Sequence, residues 1–221
     1  MPCVEEPAMK TDDLISLLST GVEPVERGRV TRTITLVIGA SAVLAVVAML
    51  GSHGLRENLL DSHVVGYILI KILFTVGILV PAIIYLMRLA RPGGRQRTST
   101  FVVVLPFLAL VLLAVISLCL APAAHWKGMV LGRQWLECLV SIPLIAIVPF
   151  AALVWVVRKM APTDLTRAGA LIGLTAGAVS ATGYALHCVD DSVPFIAAWY
   201  GGTIALCTLA GAMLGPRLLR W

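Results

Sequence analysis

The chain has 221 residues, 59% of them hydrophobic and only 13% charged. A water-soluble domain carries roughly a quarter charged residues, so this composition excludes an ordinary soluble fold and favours one whose solvent is lipid. The formal charge of +5 could speak for nucleic acid, but the basic residues lie in short segments beside apolar runs, which excludes direct nucleic-acid binding as their explanation.

Residues 1–32 form a polar tail. It carries Glu5, Glu6, Asp12, Asp13, Glu23 and Glu26, and no apolar run follows a basic start. A cleavable signal peptide is therefore not expected, and the first apolar helix should serve as its own insertion signal. Within the tail, Thr11 to Leu18 reads as a short helix with Thr11 or Asp12 as cap, early acids that suit the helix dipole, and Gly21 as terminator. Leu14, Leu17 and Leu18 share one face, with Ile15 beside them. A helix this short is marginal alone in water, so its apolar face calls for a partner. Surface-bound membrane helices are usually basic, whereas this segment is acidic. The pattern therefore points to a protein with a basic surface, as DNA-binding proteins have; the plain alternative is a disordered tail.

Six stretches are long enough to cross a hydrocarbon core, which takes roughly 20 residues of helix. They are Thr33–Gly51, Val64–Met87, Phe101–Ala121, Cys138–Val157, Ala168–Leu186 and Phe195–Gly215. Pro81, Pro106, Pro143 and Pro149 fall inside them and read as packing kinks. Lys71 lies inside the second, about two turns from its outer end, and is expected to snorkel, with a buried functional lysine as the alternative. Gly169, Gly173, Gly177 and Ala181 repeat every four residues along the fifth, and Gly211 and Gly215 give the sixth a shorter copy. Such faces admit close helix approach, within one chain or between chains, so the oligomeric state stays open.

Charge sets the expected orientation. Lys10, Arg27, Arg29, Arg32, Arg88, Arg91, Arg95, Arg97, Arg158, Lys159, Arg167, Arg217 and Arg220 make thirteen basic residues on one side, against three (Arg56, Lys127 and Arg133) on the other. Basic loops stay in the cytoplasm. The expected fold is thus all-α: a polytopic bundle of six transmembrane helices at residues 33–221, with both termini in the cytoplasm.

His53, His63, His125 and His187 then fall on the outer side, together with Cys138, Cys188, Asp190 and Asp191; Cys119 lies near the outer end of the third span. These are ligand types for a thiophilic metal, though neither a C-x-x-C nor a closed zinc spacing occurs. Cys138 and Cys188 lie at one depth, where an oxidising compartment could join them if helices four and five are neighbours, as the short Arg158–Arg167 connection favours. Cys3 and Cys207 look incidental, Cys207 acting as a small apolar residue. Nothing supports hydrolase or nucleotide chemistry, and the chain is not expected to be an enzyme.

Several segments carry a family likeness in order along the chain: Lys10-Thr11-Asp12-Asp13-Leu14-Ile15, Cys138 followed by Ile142-Pro143-Leu144, and Ala161-Pro162 before the Gly-rich helix. Tyr184-Ala185-Leu186-His187-Cys188, Trp199-Tyr200 and Leu218-Leu219-Arg220-Trp221 follow. From about Met9 onward the chain resembles the NrsF family of bacterial membrane anti-sigma factors. The resemblance implies an inner-membrane protein that holds an extracytoplasmic-function sigma factor away from RNA polymerase. It also implies release under heavy-metal or oxidative stress, sensed through two outer cysteines. By motif these are Cys138 and Cys188, with His187 adjacent, and the sigma-binding segment includes Asp12, Asp13, Leu14, Ile15, Leu17 and Leu18. No resident cofactor is implied, only a transient heavy-metal ion at the outer cysteines. The His-x-x-x-Cys-x-x-Cys run of soluble zinc-binding anti-sigma factors is absent. The alternatives are a small membrane transporter of a metal ion or small solute, supported by the prolines, Lys71 and the outer His and Asp residues, and a membrane thiol oxidoreductase, which would need a closer redox pair.

Overall fold

The computed structural model describes residues 11–20, 27–52, 54, 62–89 and 101–220. Regular structure among them is entirely helical: α1 (Thr11–Ser19), α2 (Arg27–Ser52), α3 (Ser62–Leu89), α4 (Phe101–Leu120), α5 (Ala123–Leu131), α6 (Trp135–Arg158), α7 (Leu165–Tyr184), α8 (Val193–Phe195) and α9 (Gly201–Leu218). A π-helical turn, Ile196–Tyr200, joins α8 to α9, so that Val193–Leu218 runs as one rod. Five stretches are long and apolar enough to cross a membrane: Arg32–Gly51, Val64–Leu89, Phe101–Leu120, Ala123–Arg158 and Val193–Leu218. A chain with this many apolar helices is a membrane protein.

The remaining expected stretch, Ala168–Leu186, is occupied by the helix α7, which starts three residues earlier than the sequence predicted. Its glycines, threonines and serine dilute its apolar character, and it is not one of those five stretches. Its position explains why that is tolerated. Fourteen of its twenty residues are buried, and it packs against α2, α3, α6 and α9, so little of it meets lipid. The glycine repeat makes the closest of these contacts. A Cβ on Gly169 would run into the Gly211 carbonyl and stand 2.7 Å from Gly215 Cα; one on Gly173 would strike the Cys207 carbonyl. The two glycine faces noted in the sequence are therefore the two halves of one seam. Cys207 packs into it as a half-buried residue near Gly177.

The core falls into two clusters along the bundle. At the end where α6 begins and α7 finishes, here called the upper end, Phe74, Ile142, Leu174, Tyr184, Phe195, Ile196 and Tyr200 pack together. At the lower end, Ile34, Leu86, Leu153, Ile172 and Leu219 do so. The α4 helix packs on α3 and α8 and leaves most of its surface outward. Pro81, Pro106, Pro143, Pro149 and Pro216 all lie inside continuous helices, as expected where neighbouring helices support the backbone. The α5 helix was not foreseen. None of its residues is buried, and it precedes a tight turn at Gly132 (φ +58°) that starts α6.

The seam yields a direct test. Gly173→Leu must force α7 and α9 apart and should destabilise the protein by about 3 kcal/mol or more, beyond the usual 1–3 kcal/mol of overpacking because backbone rather than side chain is struck. Gly39→Leu, whose added carbon meets nothing within 4 Å, should leave thermal unfolding in detergent unchanged. Equal melting of the two variants would show that the seam does not hold the bundle.

Candidate functional site

At the upper end, the chain between α7 and α8 crosses the top of the bundle and is tied down on three sides. The α7 helix closes with a turn in which the His187 and Cys188 amides both donate to the Tyr184 carbonyl, each at 3.1 Å. Four residues later, Ser192 caps the next helix by accepting from the Phe195 amide, and its hydroxyl donates to the Met129 carbonyl. Between these points, Asp190 lays its carboxylate on the start of α6. It accepts from the amides of Arg133 (2.9 and 3.1 Å) and Gln134 (2.8 Å). A carboxylate is favoured there by the free N–H groups and the helix dipole. The Gln134 side chain accepts in turn from the Val189 amide at 3.2 Å. Trp199 on the π turn donates its indole N–H to the Val130 carbonyl at 2.8 Å. Gly132 is required at this junction on two counts: its φ is positive, and a Cβ would lie 2.7 Å from Asp190 Cγ and 2.6 Å from a Phe195 ring carbon.

The third tie comes from α3. Lys71 is fully buried, and its Nζ donates to the Cys188 carbonyl at 3.0 Å and to Asp191 Oδ1 at 3.2 Å. The ammonium also lies 5.9 Å from the centre of the Tyr200 ring. This overturns the expectation of a snorkelling lysine. The side chain has no need to climb to water, because the Cys188–Asp191 segment descends to meet it and supplies both a carbonyl and a counter-charge. One turn along α3, Thr75 donates to the Lys71 carbonyl and accepts from Thr182 on α7 at 2.9 Å, so the polar contacts extend from the segment into the bundle.

Cys138 and Cys188 belong to the buried cluster beneath this segment. Both are fully buried, and they share one cluster with Tyr184, Phe195, Ile196 and Tyr200. The helices that carry them, α6 and α7, pack together, as the short connection between them led one to expect. Burial pushes the Cys188 thiol above its ordinary pKa, while the Lys71 ammonium pulls the other way. The Tyr200 hydroxyl lies beside that thiol without forming a hydrogen bond of good geometry. The Tyr184 hydroxyl is also buried with no hydrogen-bond partner among the described residues, its ring centre 6.0 Å from those of Tyr200 and His187. Chemically, this is a pair of soft sulfur donors in a dry, aromatic-lined setting.

His187 does not complete a ligand set with the thiols. Its Nδ1 lies 3.2 Å from the Gly54 carbonyl, on the link between α2 and α3. Among the described residues no three His, Cys, Asp or Glu side chains come together in a way that could hold a metal. A metal ion at Cys138 and Cys188 would thus be held by sulfur with little else from those residues, an arrangement suited to soft ions. His125 and Cys119 are exposed and outside the cluster. His53 and the side chain of His63 lie outside the described residues.

The other candidate residues are on α1. The helix runs Thr11–Ser19, one residue beyond the expected end, with Asp12 and Asp13 in its first turn, and none of its residues is buried. Leu14, Ile15, Leu17 and Leu18 are all exposed, Leu17 to 69%. Thr11 lies within the first turn rather than ahead of it; the expected terminator Gly21 and the preceding Lys10 lie outside the described residues. Sequence reasoning set Asp190 and Asp191 beside the cysteines as possible ligand types but did not connect Lys71 with them. The available signal was a lysine within an apolar span together with two acids directly after a cysteine.

Comparison with known proteins agrees with the resemblance seen in the sequence. The family described as "NrsF: Negative regulator of sigma F" matches residues 18–221. The probable anti-sigma-F factor NrsF of Azospira oryzae is 31% identical over 213 residues, covering 96% of this chain and all of the relative. The anti-sigma-F factor NrsF of Caulobacter vibrioides is 31% identical over 218 residues, with the same two coverages. No solved structure matches. Matched over nearly its whole length, and across every residue of the thiol site, the chain belongs to the NrsF family of negative regulators of sigma F.

Proposed function

We propose that this protein is an anti-sigma factor of the bacterial inner membrane that holds an extracytoplasmic-function sigma factor through α1 and frees it when stress chemistry reaches Cys138 and Cys188. The observation that carries the first half is the leucine face of α1. Four large apolar side chains stand exposed on a nine-residue helix with an acidic first turn, which suits an apolar groove on a basic protein. Asp12 and Asp13 steer and Leu14, Ile15, Leu17 and Leu18 fill the groove. In this reading a six-pass topology adds α7 to the five apolar stretches, and the thirteen-to-three bias of basic residues supports a cytoplasmic α1 and C-terminus. The upper end, with the thiols, then faces outward. No resident cofactor takes part; a soft metal ion or an oxidant acts on the two sulfurs only during stress. Two thiols in one buried cluster at that end support the sensing role.

Binding at α1 is tested with the full-length protein in lipid nanodiscs. Burying one leucine contributes about 1.5–3 kcal/mol, so Leu17→Asp should weaken sigma-factor binding by roughly tenfold or more. Unchanged affinity would place the binding segment elsewhere. Topology is checked with a membrane-impermeant maleimide on intact spheroplasts: exposed Cys119 should react from outside, and a cysteine introduced as Ser19→Cys only after permeabilisation. For sensing, serine at Cys138 or at Cys188 should keep the sigma factor bound in cells challenged with cadmium, and full induction of its target genes in both variants would remove the cysteines from the mechanism.

A further inference from the structure

A fully buried ammonium in an apolar span is costly unless a counter-charge and acceptors surround it. Lys71 lies about 10 Å along α3 from Val64 at ~1.5 Å per residue, and its two acceptors are the first and last residues of one four-residue stretch, Cys188 and Asp191. The carbonyl that it holds belongs to a thiol residue itself. Asp190, in the middle of the stretch, sits on the start of α6, the helix that carries Cys138 in its first turns. The stretch is thus gripped from below by α3, from the side by α6, and at its beginning by the end of α7 through the Cys188 amide. Of these, the grip from α3 is the one that draws the stretch down into the bundle.

We propose that Lys71 is the positioning residue of the thiol centre: by holding Cys188 and Asp191 together it keeps the Cys188 segment seated, so that both thiols stay within the buried cluster and shielded until the segment lifts. The inference takes from the proposed function only that Cys138 and Cys188 form a reactive pair. Energetic reasoning favours position over stability as the role. An apolar residue would fill the α3 site at no desolvation cost, and buried pairs are seldom more stabilising than apolar packing. A methionine there, however, could not hold a carbonyl and a carboxylate at once.

The test uses the full-length protein in nanodiscs with all its cysteines, treated with N-ethylmaleimide, and follows modification of each cysteine by peptide mass spectrometry. Lys71→Met should speed labelling of Cys188 by ~10-fold or more, because lifting the segment no longer breaks the pair. Asp191→Asn should act in the same direction but less, since the Cys188 carbonyl keeps its donor. Lys71→Arg, which retains the charge and the donors, should remain within about threefold of the parent protein. Cys207, in the α7–α9 seam, serves as internal control and should label at its original rate in every variant. The sign of the effect separates two roles for the lysine. Its charge favours the Cys188 thiolate, so losing the charge alone would slow labelling, whereas losing the tether accelerates it. An unchanged or slower rate in Lys71→Met overturns the proposal, as does a parallel rise at Cys207, which would mean general loosening. Sigma-factor release is scored separately on the cysteine variants, so failure of the sensor reading and failure of this one give different results.

Discussion

The backbone seam between α7 and α9 is the constraint from which the rest of the structure follows. In lipid, apolar side chains gain little by leaving their surroundings, and helix association depends on close packing. Gly169, Gly173, Gly211 and Gly215 remove the side chains that would hold the two helices apart, and each points its missing Cβ at the other helix's backbone. The same residues that lower the apolar character of α7 thereby fit it for the centre, ringed by α2, α3, α6 and α9. Once α7 is fixed there, Tyr184 ends it at a set height, and the turn that follows delivers Cys188 beside the start of α6.

That placement creates a second problem, which the polar residues of the upper end answer. Residues 185–192 lie outside regular helix, with Ala185 and Cys188 buried and most of the others half-buried, and unpaired backbone groups in such a place are expensive. The partners are supplied from several parts of the chain. Tyr184 receives the Cys188 amide, Gln134 receives that of Val189, and Lys71 reaches the Cys188 carbonyl. Asp190 and Asp191, adjacent in sequence, face opposite ways: one satisfies the exposed amides of a helix start, the other a buried cation. A pair of acids that looks like outer-face decoration is in fact split between two structural duties.

These examples show what a single sequence can and cannot reveal. Spans, the leucine-faced helix and the two glycine faces were legible because each is a periodic property of one segment, and periodicity survives without knowledge of neighbours. Lys71 was misjudged because snorkelling was argued from its depth on its own helix, while the residue that decides the matter lies 120 positions away. Asp190 as a helix cap and Gly132 as an obligatory turn were hidden for the same reason: each is explained by the other, across a gap of more than fifty residues. The α5 helix, Ala123–Leu131, buries none of its residues and so shows no apolar periodicity to read. His187 was grouped with the cysteines because it adjoins one of them, but adjacency in a turn sends successive side chains apart, and its ring goes to Gly54.

The arrangement also bears on the proposed role of the two buried thiols as reporters of stress chemistry. Reagents meet sulfur only when a covering segment opens, and the raised pKa of the Cys188 thiol further slows attack at neutral pH. In the proposed sensing role, both features would set a threshold below which the thiols stay unmodified. A modified thiol has to be accommodated in the space it left, among Tyr184, Phe195 and Tyr200, where all three are fully buried and packing tolerates little added volume. The segment that reseats poorly is the one joined to the end of α7, and α7 touches every long helix except α4 closely. A disturbance there has a mechanical route to the lower end of the bundle that one at the periphery, on α4 for example, would lack. Transmission still requires that the two seatings of the segment favour different states at that end, for without such a difference no amount of thiol chemistry shifts the equilibrium.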